Sequence, residues 1–332
     1  MLNNSRYAIE IDVKNPEKVS AIFIDYFKLR LDQVSDFPAQ HRFINSILKE
    51  YGMRITGRTI KPSPGYDKGY KIAALNNDFE LCGAIEFSEK RQRIILALSG
   101  TGCNFVASND PHYKILSALA GQPNSRLTRL DLAHNDYAGK ASIQKVDRDY
   151  NRGLFDPMTG KRPLKLNVGD KLKGRTRYIG GKSAYKKVVV YEKAKQLGIS
   201  LPGLSNWIRT EVRFTANSRD NIPVEAIAER EAYFFSACPK AMRKLIGKQA
   251  YVPVAIRCAL EYQAQLGRTL KHARYQYGPA IYAAKGQFTS DELLSLLSRE
   301  PKCDRHLKLA FVSRDDLLAT RQIVASSIGE LA

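Results

Sequence analysis

The sequence predicts an α+β fold: an antiparallel sheet with flanking helices, followed by a helical C-terminal part. Three observations predict it. Three short segments alternate apolar and charged residues with the period of two that a strand imposes. A run of further apolar segments, split by short polar turns, reads as an antiparallel meander. Helical spacing appears once near the N-terminus and again over the C-terminal third.

Taken in order, residues 1–20 are a polar N-terminal arm with a short alternating piece, Tyr7 to Val13. Ala21 to Leu31 (AIFIDYFKLRL) is rich in aromatic and β-branched residues and reads as a strand, with Asp25 in its middle. An aspartate there is either at an exposed strand edge or functional, because a buried one must be paired. Asp36 to Tyr51 has the i, i+3, i+4 pattern of an amphipathic helix, with Asp36 as N-cap and Gly52 as stop. YKIAAL, ELCGAIEF and RIILALSG form the meander, with NND and SEKRQ as turns. SGTGC (Ser99 to Cys103) reads as a tight turn rather than a phosphate loop, since a lone G-x-G chiefly marks unusual backbone geometry.

Pro111 to Ala120 is a short helix, RLTRLDLAHND a strand, and Ser142 to Asn151 a helix capped by Ser142. Phe155 to Lys173 is a Pro/Gly/Lys-rich loop. Two strands follow within Gly174 to Phe214, then a helix or helix pair over Pro223 to Leu245, broken near Pro239. From Lys248 onward the pattern is helical, with Ser290 opening DELLSLLSRE. The expected organisation is an arm over 1–20, an α+β domain over 21–220 and a helical region over 221–332.

The chain has 332 residues and 44% hydrophobic content, enough for a substantial core. Lys plus Arg number 53 against 33 Asp plus Glu, a net +20 spread along the chain. Such an excess in a globular chain points to a polyanion partner, most often nucleic acid. Cys82, Cys103, Cys238, Cys258 and Cys303 are far apart and form no CxxC or Cys/His cluster. Free thiols in a reducing compartment are expected, not a zinc site or a disulfide framework. There is no apolar signal core or membrane-length run, so a cytoplasmic protein without a membrane partner is expected.

The alternating segments hold the candidate chemistry. Val188 and Val190 face one way; Lys187, Val189, Tyr191 and Lys193 face the other. Ile208, Thr210, Val212 and Phe214 oppose Arg209, Glu211 and Arg213. Leu130 and Leu132 oppose Arg129, Asp131 and Ala133. If the strands share a sheet, one face is core and the other carries a tyrosine, two carboxylates and several cations. A tyrosine can attack a phosphodiester covalently, but its free pKa is about 10, so ionisation needs help from cations or a metal. Two carboxylates such as Asp131 and Glu211 suit a hard ion, Mg²⁺ or Mn²⁺. Asp25 is a third candidate ligand. The competing reading is a solvated face on which Arg129 pairs with Asp131 and Arg209 with Glu211. His134, three residues past Asp131, is either a ligand or an ordinary hydrogen-bonded histidine.

Four segments together resemble a known family. They are Thr128-Arg129-Leu130-Asp131-Leu132-Ala133, Tyr178-Ile179-Gly180 with Ser183, Val190-Tyr191-Glu192-Lys193, and Trp207-Ile208-Arg209-Thr210-Glu211. Their order and spacing are similar to those of the rolling-circle replication initiation factors of staphylococcal plasmids and filamentous phages, over residues 21–216. The resemblance implies a relaxase-like α+β fold and a tyrosine-dependent nicking and joining enzyme. It makes Tyr191 the nucleophile and matches Asp131 and Glu211 to the family's acidic positions. Val189 departs from the arginine found in plasmid members, so Lys187 or Lys193 would supply that cation. We assign Tyr191 and Lys193 to catalysis, Asp131, Glu211 and Asp25 to a metal, and Arg129, Lys187, Arg209 and Arg213 to DNA.

The implied protein nicks one strand of a double-strand origin, stays on the 5′ phosphate and leaves a 3′-OH. Its implied partners are origin duplex, single-stranded DNA, a host helicase and polymerase, and a second copy in a homodimer. The rivals are a mobilisation relaxase and a non-catalytic DNA-binding regulator. Because neutralising phosphates releases counterions, the net charge predicts DNA affinity that falls steeply with salt. Binding isotherms on duplex DNA at low and moderate salt check this; a flat constant would refute it.

Overall fold

The structure, a computed structural model, describes residues 20–137, 139–157, 160–198, 205–247 and 273–298. The expected N-terminal arm lies outside them, as do Cys258, Cys303 and most of the C-terminal helical region. Ten strands form one antiparallel sheet: β1 (Phe23–Leu31), β2 (Met53–Thr59), β3 (Lys68–Ala74), β4 (Asn77–Ser88), β5 (Arg93–Leu98), β6 (Ser125–Asp136), β7 (Lys165–Asp170), β8 (Gly174–Ile179), β9 (Lys186–Glu192) and β10 (Ile208–Thr215). The order across the sheet is β2-β3-β4-β5-β1-β6-β10-β9-β8-β7. The three alternating segments are thus neighbours, as β6, β10 and β9. The predicted antiparallel sheet with flanking helices is what the chain forms.

Helices flank the sheet: α1 (Phe37–Glu50), α2 (Gly100–Asn109), α3 (Lys114–Ala120), α4 (Ile143–Asn151), α5 (Lys193–Leu197), α6 (Glu225–Ala228), α7 (Arg230–Ser236) and α8 (Pro239–Ile246). Local chemistry sets their ends. Asp36 Oδ1 accepts from the Ala39 N–H at 2.8 Å, and Gly52 follows α1 with φ +76°. Ser142 Oγ accepts from the Lys145 N–H at 3.2 Å to start α4. Pro239 occupies the first turn of α8, where its missing N–H costs nothing.

Several expectations are corrected. SGTGC is not a tight turn: Ser99 is the N-cap of α2 and the glycines form its first turn. Gly102 is required there, because a Cβ would lie 2.3 Å from the Cys82 carbonyl oxygen. The segment 53–59, whose apolar alternation is weak, is strand β2. The loop expected over 155–173 contains the edge strand β7. Lys193 is not on strand β9, which ends at Glu192; it opens α5. At the C-terminal end, a helix spans Ser290–Leu297, and its cap is Thr289, in a capping box with Glu292, rather than Ser290.

One face of the sheet is core. Phe27, Leu29, Leu130, Leu132, Val188, Val190, Val212 and Phe214 belong to a single buried cluster. Ile222, Ala226, Ile227, Phe234, Ala241, Met242 and Leu245 join that same cluster, so the boundary expected near residue 220 falls inside one packed unit. The charge pairs agree: Lys244 meets the fully buried Asp149, tying α8 to α4. Cys82, Cys103 and Cys238 are free thiols, the first two buried. Among the described residues no helix is long and apolar enough to cross a membrane.

Arg230 pins α7 to the sheet. Its Nε donates to the Ile22 carbonyl at 2.8 Å and its Nη2 to the Pro111 carbonyl at 3.1 Å, with the residue 4% exposed. Arg230→Met keeps the stem but strands both carbonyls, so it should destabilise by about 2–4 kcal/mol. Urea unfolding of the variant checks this, and a change within about 0.5 kcal/mol would contradict it.

Candidate active site

Antiparallel register lines up the charged face in rows. Asp131 stands opposite Arg213, which is itself opposite Lys187. Asn135 stands opposite Arg209, and Arg209 opposite Tyr191. Asp131 and Glu211 are 2% and 3% exposed, although both lie on the face away from the core. Long arginine side chains cover and neutralise them. Arg129 binds Asp131 with two bonds, 2.9 and 2.6 Å. Arg213 does the same to Glu211 Oε2 at 3.0 and 2.7 Å, and its Nε lies 3.6 Å from Asp131. The Tyr191 hydroxyl donates to Glu211 Oε1 at 2.7 Å.

A second pair sits beside this ladder. β1 carries a bulge at Asp25, since Ile24 pairs with Leu132 and Tyr26 with Asp131. Bulges re-aim side chains. Asp25 accepts from Arg209 Nη1 at 3.0 Å, while Arg209 Nε donates to Asn135 at 2.8 Å. The expected pairing of Arg129 with Asp131 is present. The alternative pairing of Arg209 with Glu211 is not: Arg209 takes Asp25, and Glu211 takes Arg213.

Asp25, Arg209 and Tyr191 line one cleft of ≈ 230 Å³, together with Phe23, Ser99, Gly100, Thr101, Asn104, Lys193 and Gln196. Gly100 lets α2 approach: a Cβ there would lie 2.9 Å from Asp25 Oδ1. The Lys193 ammonium stands 5.8 Å from the Tyr191 ring centre. Tyr191 is not the exposed residue that strand alternation implied; only 9% of it is accessible. Burial holds its phenol well above the usual range, Arg209 opposes that shift, and Glu211 and Asp25 add to it. Burial likewise raises the Asp131 carboxyl against the pull of Arg129 and Arg213.

Residues 125–254 match the model of a family described as replication initiation factor. That matched span is similar to the replication initiation factor family. It covers about two fifths of the chain, from β6 through α8, and holds Asp131, Tyr191, Lys193, Arg209, Glu211 and Arg213. The chain is also similar to the solved structure of a rolling circle replication initiator protein from Geobacillus stearothermophilus, with 19% identity, 63% of this chain and 79% of that chain covered, and a TM-score of 0.45. No curated protein matches.

Within the replication initiation factor span, the other tyrosines are placed differently. Tyr185 packs on the core residue Phe214 and donates to the Asn221 carbonyl at 3.0 Å. Tyr178 lies under Arg213, 5.9 Å from its guanidinium. His134 pairs with Thr210, on the core face away from Asp131. Three of the four cations assigned to DNA, Arg129, Arg209 and Arg213, are held by carboxylates in this state.

The carboxylates suit a hard ion chemically, but their seats are taken. Arg129 and Arg213 occupy Asp131 and Glu211, and Arg209 occupies Asp25. Among the described residues no group of three or more His, Cys, Asp or Glu could hold a metal. As arranged, the residues do not fit Mg²⁺ or Mn²⁺. Sequence reasoning missed the wall made by Thr101, Asn104 and Gln196. For Thr101 and Asn104 the signal was Ser99 as a helix cap, hidden by two glycines that suggested a turn.

Glu192, next to Tyr191, is the N-cap residue of α5, and its carboxylate accepts from the Arg175 backbone N–H and guanidinium at 2.8 to 3.0 Å. Although burial pushes its carboxyl up, Arg175 and Lys195 bring it down from 4.5 to about 2. A depressed folded pKa stabilises above the unfolded value and loses that contribution as pH falls through the folded one. The stability advantage of wild type over Glu192→Gln should therefore be full above pH 4.5 and vanish near pH 2. Paired denaturation curves across this range test it; a constant difference would contradict the assignment.

Proposed function

We propose that this replication initiation factor nicks and rejoins one DNA strand through Tyr191. The observation that carries the reading is the 2.7 Å hydrogen bond from the Tyr191 hydroxyl to Glu211, made at the wall of a cleft that also holds Arg209 and Lys193. A nucleophile, a proton acceptor and cations for the developing charge thus stand together. Tyr191 Oη attacks phosphorus as its proton passes to Glu211. The bond from phosphorus to the 3′ oxygen breaks, and that oxygen takes a proton from water. The 5′ phosphate is left joined to Tyr191, and the reverse step reseals the strand. Lys193 and Arg209 stabilise the added negative charge on the phosphoryl oxygens. Arg213 and Arg129 hold the two carboxylates in register.

In this reading the substrates are an origin duplex and the single strand opened from it. The free 3′-OH serves a host polymerase, with a helicase unwinding ahead. No step runs through a metal. If nicking dies in EDTA and returns with Mg²⁺ or Mn²⁺, Arg213 must first leave Asp131 and Glu211.

The decisive experiment traps the protein on a single-stranded oligonucleotide spanning its own mapped cut. Mass spectrometry should find the adduct on Tyr191, and Tyr191→Phe should give neither adduct nor nick. An adduct on Tyr178 or Tyr185 would overturn the reading. Because Glu211 Oε1 then lacks a donor, Tyr191→Phe should also cost about 1–3 kcal/mol. That is more than an exposed hydroxyl would cost. Glu211→Gln should slow nicking by about 10²–10⁴ while retaining DNA binding.

A further inference from the structure

We propose that the β7–β8 hairpin is a wedge that opens duplex DNA beside the tyrosine cleft, with Leu172 as its apolar tip; this rests on the nicking function read from that cleft. The first support is charge. From Lys161 to Lys195 there are twelve Lys or Arg and two Asp or Glu, so half of the net +20 lies on 35 residues. Some of these cations are matched, such as Arg177 and Lys165 by Asp147. Lys171, Lys173, Lys182 and Lys186 are exposed.

The second support is the tip. Asp170 pairs with Gly174, leaving Lys171, Leu172 and Lys173 as the loop. Asp170 Oδ1 accepts from both the Leu172 and Lys173 N–H groups at 2.7 Å, so the loop is fixed. Gly169, at φ +81°, is required, because a Cβ would lie 2.0 Å from the Gly174 oxygen. This fixed loop holds Leu172 91% exposed between two lysines. A solvated leucine at a hairpin tip forfeits its burial energy unless something covers it. Flanking lysines favour a polyanion, and an apolar side chain among phosphates inserts between base steps.

The third support is position. Lys195 Nζ donates to the Lys171 carbonyl at 3.0 Å, and a Cβ on Gly174 would come within 3.5 Å of the Gln196 nitrogen. The tip therefore rests on α5, whose Lys193 and Gln196 line the cleft. DNA opened by Leu172 is delivered next to Tyr191.

The test reads base opening without cutting. Tyr191→Phe protein is bound at saturation to supercoiled DNA carrying the chain's own replicon, and unpaired thymines are read by permanganate. Adding Leu172→Ser should lower reactivity about tenfold, while Leu172→Phe should retain it. With Tyr191 present, Leu172→Ser should lower the ratio of duplex to single-strand nicking to a similar degree. Lys171→Gln and Lys173→Gln should each reduce the salt slope of binding by about one. Unchanged opening with Leu172→Ser would overturn the proposal. So would sedimentation in which that change turns a dimer into a monomer, since a second copy would then cover the leucine. Failure of the cleft reading looks different: no Tyr191 adduct on single-stranded DNA, whatever the hairpin does.

Discussion

The site depends on one constraint: carboxylates buried on a sheet face must each be matched by a cation. Asp131 and Glu211 sit in adjacent strands, within a few per cent of full burial. Left alone, two such charges would repel each other and resist desolvation. Arg129 and Arg213 resolve this by bidentate contact, and Arg213 reaches both acids. Glu211 then has one oxygen for Arg213 and one for Tyr191. The antiparallel register places Tyr191 opposite Arg209, one row from Glu211, so the phenol reaches the acid diagonally. Slipping β9 by one residue would turn Tyr191 into the core and expose Val190.

That constraint sets a tension for catalysis. The same burial that orders Tyr191 makes its phenolate harder to form. In the proposed nicking reaction, a phenol held in this way is protected from solvent and reacts only when its proton has somewhere to go as the bond to phosphorus forms. Glu211 is the group in contact with it. Arg209, shared between Asp25 and Asn135, gives the cleft a cation fixed before substrate arrives. Preorganised charge of this kind is worth more in a water-poor cleft than in bulk solvent.

Much of this was legible in the sequence. Period-two alternation in 129–133, 187–191 and 209–214 gave the strands, their faces and the grouping of Asp131, Tyr191 and Glu211. Caps at Asp36 and Ser142 were readable because a side-chain oxygen and an apolar stripe mark a helix start locally. What failed was non-local. The carboxylate partner of Arg209 depends on a bulge at Asp25, about 180 residues away in sequence. One wall of the Tyr191 cleft is the start of α2, whose two glycines read as a turn because their packing against Cys82 and Asp25 is invisible in one dimension. Buried residues on both sides of 220 share one cluster, and a change from strands to helices in the sequence does not show where such a core ends. Lys193 was placed on the strand because the alternation continues by chance into the first turn of α5.

The family span does not close the cleft by itself. Tyr191, Lys193, Gln196 and Arg209 come from residues 125–254, but Phe23, Asp25 and the start of α2 do not. Without β1, Arg209 would lose the carboxylate of Asp25, the charge that matches its buried guanidinium across the cleft. Without α2, the cleft that Tyr191 lines would lose the wall made by Ser99, Gly100, Thr101 and Asn104. The N-terminal half of the sheet is therefore part of the cleft rather than a scaffold appended to it. The central position of β1, between β5 and β6, makes that unavoidable: the strand that completes the cleft also joins the two halves of the sheet.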